Sequence, residues 1–225
     1  MTAPSTSPSL PASGTRFDAF VRRHTILTET LLVPEVRLWL AGHAHDIFQI
    51  GAEFSGGWAL PPYWAFAWPG GQGLARYLLD WPELVRGKRI LDLGAGSGIP
   101  SIAAMKAGAR SALCADIDPL AEAAARRNAL LNGVRLETTM VDLLGTSPDA
   151  DLIIIGDLVY EPELETRVGA FLQAAARSRT PVLFGDRTTS RRPPLAFELL
   201  AEYVAPVTPA LLDGHMERAR VWRLG

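Results

Sequence analysis

The segment ILDLGAGSGIPSIAA, residues 90–104, constrains the fold more than any other part of the sequence. Its apolar start is followed by glycine at alternate positions, Gly94, Gly96 and Gly98, and then by an alanine-rich stretch. This order is typical of a buried strand, a tight turn and a helix. Glycines directly after a strand let the backbone approach a ligand closely, with N–H groups of the helix N-terminus pointing at it. The segment therefore predicts a strand, a ligand-binding loop and a helix.

The alternation of short apolar runs and longer helical patterns continues after this segment. Strands are predicted at RILDLG, SALCAD, RLETTMV, DLIIIGD and PVLFGD, and helices between them at SIAAMKAG, PLAEAAARRNALLNG and ELETRVGAFLQAAARS. Asp118 and Pro119 supply the N-cap and first residue of the second helix. Such alternation is typical of an α/β fold with a mostly parallel sheet covered by helices. The last stretch, FELLAEYVAPVTPALLDGHMERARVWRLG, predicts a helix and then two antiparallel runs joined by a turn around Asp213 and Gly214.

Three parts of different character follow from this pattern. Residues 1–15 predict a disordered tail, and residues 16–87 an N-terminal helical and Trp/Pro/Gly-rich extension packed on the core. Within the extension, TRFDAFVRRHTILTETLL has helical periodicity, and PEVRLWLA fits a short strand or helix. Residues 88–225 form the ligand-binding core. We expect residues 16–225 to make a single globular unit, since 48% hydrophobic residues suffice for a sizeable core.

Composition excludes several classes of partner. The 22 basic residues nearly cancel the 24 acidic ones, so the charge balance favours neither nucleic acid nor an anionic membrane. No apolar run approaches the roughly 20 residues that span a bilayer, and the start MTAPSTSPSLPASGT lacks the features of a secretory signal. Cys114 reads as a buried strand residue, and His43 and His45 as loop histidines without a matching metal-ligand cluster. We expect a cytoplasmic monomer with no metal site.

The spacing of the glycines discriminates between ligands. In the dinucleotide fingerprint the third glycine would stand at Ile99, whereas here it is Gly98. A phosphate-binding Walker loop is excluded because no Gly-Lys-Ser/Thr follows. The pattern D-x-G-x-G-x-G, which begins at Asp92, resembles the first motif of class I S-adenosylmethionine-dependent methyltransferases. That resemblance implies S-adenosylmethionine as the cofactor.

Acidic residues at successive strand ends fit this resemblance. Asp92 can attract the ammonium group of the cofactor, directly or through water. Asp116, 18 residues after Gly98, matches the expected position of an acid that binds the ribose hydroxyls. Asp118 competes for that role but is better explained as a helix cap. Asp142 can accept from the adenine amino group. The complete set of expected cofactor-binding residues is Trp68, Gly70, Asp92, Gly94, Ala95, Gly96, Gly98, Asp116, Ile117, Asp142 and Leu143.

A second set of motifs gives a closer resemblance. GDLVYE, residues 156–161, carries a D-x-x-Y arrangement similar to that of the seven-β-strand protein lysine methyltransferases called family 16. Together with PPYWAFAWPGGQGLARYLL and LFGD, it resembles the electron transfer flavoprotein β-subunit lysine methyltransferases, also labelled nicotinamide N-methyltransferase-like. The resemblance implies a Rossmann-like sheet of seven strands with an antiparallel C-terminal edge strand. It also implies lysine methylation of a protein, most directly the electron transfer flavoprotein β subunit.

The resemblance assigns roles to residues outside the glycine loop. Asp157 and Tyr160 become catalytic candidates, because Asp157 can orient the lysine amine and Tyr160 can pack against the lysine stem. Helix capping and core packing are the structural alternatives for this pair. Substrate contacts are expected from Trp64, Glu161, Arg187, Arg191 and Arg192. The family leads one to expect a Pro-Gly-Arg-like continuation after LFGD, where this chain has RTTSRR.

Other functions remain open from sequence. A small-molecule amine N-methyltransferase would need a lid over the cavity, whereas a protein substrate needs an open funnel. Methylation of a ribosomal protein is a further alternative. A non-catalytic cofactor-binding module or an RNA partner would be favoured if Arg187, Arg191 and Arg192 formed a wide basic surface.

Overall fold

The computed structural model describes residues 13–42, 61–146, 149–188, 190–206 and 216–225. The predicted tail up to residue 12, the histidines His43 and His45, and the turn around Asp213 and Gly214 lie outside these ranges. Within them, no helix is long and apolar enough to cross a membrane. The same residues contain no cluster of His, Cys, Asp or Glu that could hold a metal ion.

A sheet of seven strands forms the centre of the molecule. Its strands are β3 (Arg89–Leu93), β4 (Ser111–Ala115), β5 (Glu137–Thr139), β6 (Leu152–Gly156), β7 (Val182–Arg187), β8 (Phe197–Pro206) and β9 (Met216–Leu224). They lie side by side in the order β5-β4-β3-β6-β7-β9-β8. The first five are parallel, and β9 runs antiparallel to both β7 and β8. This topology confirms the predicted Rossmann-like, mostly parallel sheet with antiparallel C-terminal strands.

Three helices follow strands β3, β4 and β6, as the apolar periodicity predicts, and one helix precedes β3. They are α2 (Pro69–Asp80), α3 (Ile99–Lys106), α4 (Pro119–Leu131) and α5 (Pro162–Arg177), with short 3₁₀ turns at Tyr63–Ala65 and Pro82–Leu84. Each of the four helices begins with proline at one of its first two positions, where the missing N–H has no intrahelical partner to lose. The carboxylate of Asp118 accepts from the N–H of Leu120 at 2.8 Å, which confirms the predicted N-cap of α4.

The predicted helix at FELLAEYV is wrong. This segment is most of β8, which pairs with β9 along its whole length. The pairing register shifts between Leu199 and Ala201, so a bulge interrupts the two-residue alternation of inward and outward side chains. Without strict alternation the apolar residues recur at three- and four-residue intervals, which imitates a helical pattern.

The N-terminal part begins with helix α1 (Ser13–His24) and continues as a hairpin of β1 (Thr25–Glu29) and β2 (Arg37–Ala41). The helical pattern predicted for TRFDAFVRRHTILTETLL therefore ends earlier, at His24. Phe20 and Val21 of α1 belong to one apolar cluster with Trp64 and with the alanines of α4. Cys114 is buried in β4, as predicted.

Helix α2 approaches the sheet unusually closely at its N-terminus. A Cβ atom added to Gly70 would lie 2.6 Å from the backbone C and O of Gly185, and one added to Gly156 would lie 3.1 Å from the Cα of Gly71. Only glycine tolerates such backbone contacts. The Gly-Gly pair after Pro69 therefore brings the first N–H groups of α2 to the carboxyl ends of β6 and β7.

Candidate functional site

A cavity of about 470 Å³ opens at the carboxyl ends of the parallel strands. This is the edge of an open α/β sheet where ligands bind, and the volume falls in the usual range for small-molecule sites. Most of the predicted site residues line it: Trp64, Trp68, Gly94, Gly96, Asp116, Ile117, Asp142, Leu143, Asp157, Tyr160, Arg187 and Arg191. The lining does not include Gly70, Asp92, Ala95, Gly98, Glu161 or Arg192.

The glycine loop follows β3 and has a backbone that other residues rarely adopt. Gly94, Gly96 and Gly98 have φ values of 65°, 51° and 78°. The N–H of Gly94 donates to the carbonyl of Ala115 at 2.9 Å, which ties the loop to the end of β4. Gly94 and Gly96 face the cavity, whereas Gly98 is the N-cap residue of α3 and packs against Ala125.

Asp116 lies at the end of β4, beside the glycine loop. One carboxylate oxygen accepts from the N–H of Gly96 at 2.9 Å, and the other accepts from the N–H of Asp118 at 3.0 Å. Burial raises the pKa of Asp116, although these two backbone donors oppose the shift. The carboxylate is therefore held rigidly at the cavity wall, and each oxygen keeps a lone pair for a ligand hydroxyl.

Asp92 has a different environment from the one expected. Its side chain is only 1% exposed, and its carboxylate accepts from the hydroxyl of Ser101 at 2.7 Å. Burial raises its pKa to about 7. Asp92 and Ala95 line a small adjoining space of about 40 Å³, which shares Gly94, Gly96 and Asp157 with the main cavity. One oxygen of Asp92 is thus held by α3, and attraction of a cofactor ammonium, directly or through water, stays a prediction.

Asp142 follows β5 and is half-exposed at the cavity rim. Its carboxylate forms an ion pair with Arg167 of α5 and accepts from the N–H of Leu144 at 3.0 Å. The hydrogen bond from Arg167 lowers the pKa of Asp142, so this acid is ionised at neutral pH. The pair connects α5 to the loop after β5.

Asp157 combines a strained backbone with a buried carboxyl group. Its φ of 50° lies in the left-handed region, which Asp tolerates better than most residues. Oδ2 accepts from the N–H of Gly71 at 2.9 Å, at the N-terminus of α2. Oδ1 is buried and has no hydrogen-bond partner among the described residues. Burial raises the pKa of Asp157 to about 7, whereas the N–H of Gly71 and the charge of Arg187 act to lower it.

Aromatic side chains surround the entrance to Asp157. The rings of Tyr63 and Tyr160 have centroids 4.8 Å apart, and those of Tyr63 and Trp68 are 5.9 Å apart. Trp68 donates its indole N–H to the carbonyl of Tyr63 at 2.8 Å, which fixes its orientation. Trp64 is 1% exposed and packs in the apolar cluster against α1 and α4. Burial raises the pKa of Tyr160 to about 12, so its hydroxyl is neutral.

The predicted arginines have separate environments. Arg187 lies 5.3 Å over the ring of Trp68, and Arg191 is exposed and pairs with Glu165 of α5 at 3.4 Å. Arg192 instead points inward, where it pairs with the buried Asp186 at 3.1 Å and stacks 3.8 Å from the ring of Trp222. Arg192 does not line the cavity, and its contact with substrate stays a prediction. Glu161 occupies the N-cap position of α5, outside the cavity.

Sequence reasoning missed part of the cavity lining, including Tyr63, Leu158, Leu164, Arg167 and Ser190. Tyr63 stands within PPYWAFAWPGG and Leu158 within GDLVYE, so those motifs already carried a signal for them. Arg167 and Leu164 come from the interior of α5. Whether these side chains reach the cavity depends on how α5 packs on the sheet, and the spacing of residues in the sequence does not predict that packing.

The chemistry of this wall fits S-adenosylmethionine. Gly96 leaves room beside the loop, since a Cβ added to it would reach no atom nearer than 3.6 Å, whereas the space beside Gly94 is filled by Leu158. Asp116 and Asp142 place hydrogen-bond acceptors around a mainly apolar cavity. The hydroxyl and amino groups of a nucleoside are donors that need such acceptors. Ile117 is half-exposed between Asp116 and Asp118 and offers an apolar surface for a base.

Comparison with solved structures supports the same fold. A candidate RNA methyltransferase from Pyrococcus horikoshii has a TM-score of 0.52 at 16% identity, covering 74% of this chain and 89% of that chain. A structure from a study of disulfide-to-thioacetal conversion in echinomycin biosynthesis also has a TM-score of 0.52 at 16% identity, with coverage of 78% and 90%. At these identities the similarity concerns the fold alone.

Comparisons of sequence identify the family. The family model for ribosomal protein L11 methyltransferase matches residues 78–159. The electron transfer flavoprotein beta subunit lysine methyltransferase of Xenopus laevis is 43% identical over 75% of this chain and 69% of its own length. The Rattus norvegicus protein of the same name is 35% identical over 92% of this chain and 84% of its own length. The chain therefore belongs to the electron transfer flavoprotein β-subunit lysine methyltransferase family and is an S-adenosylmethionine-dependent methyltransferase.

Proposed function

We propose that this protein methylates lysine side chains of the electron transfer flavoprotein β subunit. The observation that carries the proposal is Asp157, whose Oδ1 is buried at the cavity wall without a partner among the described residues, while Oδ2 is held by Gly71. An unpaired buried carboxylate oxygen is costly, so the site is completed by a donor that comes from a ligand. The ammonium or amine group of a lysine side chain supplies such a donor.

Lysine methylation requires a neutral, well-oriented amine. With a pKa near 10.4, about one lysine in 2500 is neutral at pH 7, which costs roughly 4.6 kcal/mol. Partial desolvation in an apolar cavity lowers the lysine pKa and reduces this cost. When bound, S-adenosylmethionine supplies a methyl group on a positively charged sulfur. The amine lone pair forms the new nitrogen–carbon bond as the carbon–sulfur bond breaks, and the product ammonium then loses a proton to solvent.

Asp157 acts chiefly by orientation. The N–H of Gly71 and the left-handed backbone fix the carboxyl group, so that Oδ1 accepts from the amine in one geometry. Its pKa of about 7 means that the ionised form is well populated at and above neutral pH. Tyr63, Trp68 and Tyr160 form apolar walls along which the lysine stem packs, with faces that favour a cation.

The cofactor is held by residues from three strand ends. Asp116 accepts from the ribose hydroxyls and Asp142 from the adenine amino group, while Ile117 and Leu143 contact the base. Gly94 and Gly96 let the amino acid portion approach the backbone. Trp68 adds an aromatic surface near the transferred methyl group. Gly70 contributes indirectly, because it allows α2 to approach Asp157.

A protein substrate is favoured by the rim of the cavity. Arg167, Arg187 and Arg191 all line it, and Arg191 is the most exposed of these. The ion pairs of Arg167 and Arg191 are the more exposed and hence weak, so an acidic surface beside the target lysine can compete for these guanidinium groups. A free amine lacks such a surface.

Ribosomal protein L11 is the second substrate to consider, because that family model matches residues 78–159. The matched residues contain β3, β4 and the acids Asp92, Asp116 and Asp142 but exclude the arginines after β7. The match therefore supports a shared cofactor site more than a shared substrate.

We also propose that the protein is a monomer in the cytoplasm that binds neither nucleic acid nor membrane. Sedimentation tests the oligomeric state, and cell fractionation tests the location.

The proposal is tested with purified enzyme, labelled S-adenosylmethionine and four acceptors: electron transfer flavoprotein β subunit, ribosomal protein L11, free lysine and a basic protein without an acidic surface. We expect label in the flavoprotein subunit, on lysines identified by mass spectrometry. Asp157→Asn serves as the catalytic control. Faster labelling of L11 or of free lysine than of the flavoprotein subunit would reject the substrate proposal.

A further inference from the structure

Asn128 links two parts of the molecule that are far apart in sequence. It is fully buried on α4. Its Oδ1 accepts from the backbone N–H of Trp39 in β2 at 2.7 Å, and its Nδ2 donates to the carbonyl of Ser97 in the glycine loop at 2.8 Å. Because one partner is a donor and the other an acceptor, only one orientation of the amide satisfies both bonds.

The glycine loop depends on restraints from outside itself. Its three glycines at positive φ have an unusually large conformational freedom in the unfolded chain, and this freedom must be lost when the loop takes its binding conformation. Helix α4 supplies two of the restraints. Ala125 packs where a Cβ of Gly98 would stand, at 3.2 Å, and Asn128 one turn later holds the carbonyl of Ser97.

We infer that Asn128 is a positioning residue for the cofactor: its amide fixes the glycine loop, and through Trp39 it couples that loop to the β1–β2 hairpin. Asn128 does not line the cavity, so its effect on a ligand passes through Ser97. The inference rests on the cofactor role of the loop, and does not depend on which substrate accepts the methyl group.

Asn132 provides a matched comparison on the same helix face. Its Oδ1 accepts from the N–H of Arg37 at 3.0 Å, and its Nδ2 donates to the carbonyl of Arg37 at 2.6 Å. It therefore anchors β2 in the same manner as Asn128. In the part of the chain that the structure describes, none of its hydrogen bonds reaches the glycine loop. Comparing variants of the two residues therefore distinguishes an effect of anchoring β2 from an effect of positioning the glycine loop.

The test compares Asn128→Asp with Asn132→Asp in the full chain. Either carboxyl group keeps the acceptor for β2. In Asn128→Asp the ionised carboxylate has no N–H to donate, so one of its oxygens faces the carbonyl oxygen of Ser97 as a second acceptor. We expect its dissociation constant for S-adenosylhomocysteine, measured by calorimetry, to rise roughly tenfold or more, as for a buried acceptor left unpaired. For Asn132→Asp, whose side chain is partly exposed, we expect less than about a twofold change and a smaller loss of thermal stability than in Asn128→Asp.

The pH dependence of binding gives a readout that general destabilisation does not produce. A protonated Asp at position 128 can again donate to Ser97, so cofactor-product affinity of Asn128→Asp should recover as pH falls, relative to wild type and Asn132→Asp. The nearby acids Asp92, Asp116 and Asp118 titrate in all three proteins and cancel in this comparison.

Because burial raises the pKa of an Asp at position 128, affinities are compared at the alkaline end of the pH series, where its carboxyl group is ionised. Two results there would overturn the inference: unchanged affinity in a folded Asn128→Asp, or equal losses in both variants. If Asn128→Asp does not fold, Asn128→Ser replaces it, because a short neutral side chain removes the bond to Ser97 without adding charge. We expect weaker binding in Asn128→Ser than in Asn132→Ser, and equal binding in these two would likewise reject the role.

Discussion

Gly71 donates its backbone N–H to Oδ2 of Asp157 at 2.9 Å, and so joins the helix that begins at Pro69 to the strand that ends at Gly156. The contact explains why two separate motifs, WPGG and GDLVY, occur in one chain. The first lets a helix N-terminus come close to the sheet, and the second places an acid where that terminus can bind it. The hydrogen bond between Gly71 and Asp157 therefore needs both motifs.

Replacing Asp157 by Asn should separate binding from catalysis. Asn tolerates the left-handed backbone and keeps an acceptor for Gly71, but it removes the negative charge. We expect turnover with the protein substrate to fall about tenfold or more while the dissociation constant for S-adenosylhomocysteine changes little. Steady-state kinetics and calorimetry measure the two quantities. Native turnover in this variant would assign the orienting role to another residue.

Gly70 and Gly71 should respond oppositely to alanine. A Cβ at Gly70 would lie 2.6 Å from backbone atoms of Gly185, whereas one at Gly71 meets side-chain carbons of Ile99 at 3.5 Å and Pro100 at 3.9 Å, which are ordinary contacts. Gly70→Ala should therefore lower the free energy of unfolding by about 1–3 kcal/mol, as overpacking does. Gly71→Ala should be neutral, or stabilising by up to about 1 kcal/mol through helix propensity. Chemical denaturation compares the pair, and equal effects would contradict the close approach.

The sequence predicts the features that depend on local chemistry. Positive φ at three glycines, proline at the start of α4 and the cap by Asp118 all follow from short-range rules, and they place Asp116 at the cavity. Features that depend on packing are not predicted. The hydrogen bond of Asp92 to Ser101, the stacking of Arg192 on Trp222 and the ion pair of Arg167 with Asp142 depend on how separate elements pack together. The bulge in β8 hides its strand pattern in the same way.

The buried Asp92 should make stability depend on pH. Its pKa is raised to about 7 by burial, so the folded protein binds a proton that the unfolded chain releases at lower pH. This contribution is fully present below the unfolded pKa near 4, and is lost as pH rises through about 7. Urea denaturation from pH 5 to 8 should show a smaller decline in stability for Asp92→Asn than for wild type. An identical decline would mean that Asp157 and Asp118, whose pKa values are also raised, account for it.

Asp116 should control affinity for the cofactor. Both carboxylate oxygens are oriented by backbone N–H groups at the cavity wall, so little rearrangement is needed for them to accept from ligand hydroxyls. Asp116→Ala should weaken S-adenosylhomocysteine binding by about 1.5–3 kcal/mol, the usual loss for a charged hydrogen-bonding group. Calorimetry checks this value. Asp118→Ala removes the helix cap at a residue that also lines the cavity, and an equal or larger loss in that variant would give the ribose contact to Asp118.

Arg191 should contribute to recognition of a protein substrate. It is the most exposed arginine at the cavity rim, and its pair with Glu165 at 3.4 Å is weak in solvent. Arg191→Gln should raise KM for the flavoprotein subunit several-fold and flatten its dependence on ionic strength, because long-range attraction is screened by salt. Arg218, which pairs with Glu202 between β8 and β9 and is 65% exposed against 55% for Arg191, is the control. KM and turnover are measured at several salt concentrations, with the protein substrate and with a free amine. Equal losses of activity on both substrates would place Arg191 in catalysis or folding. No loss on either substrate would mean that Arg191 is solvated surface.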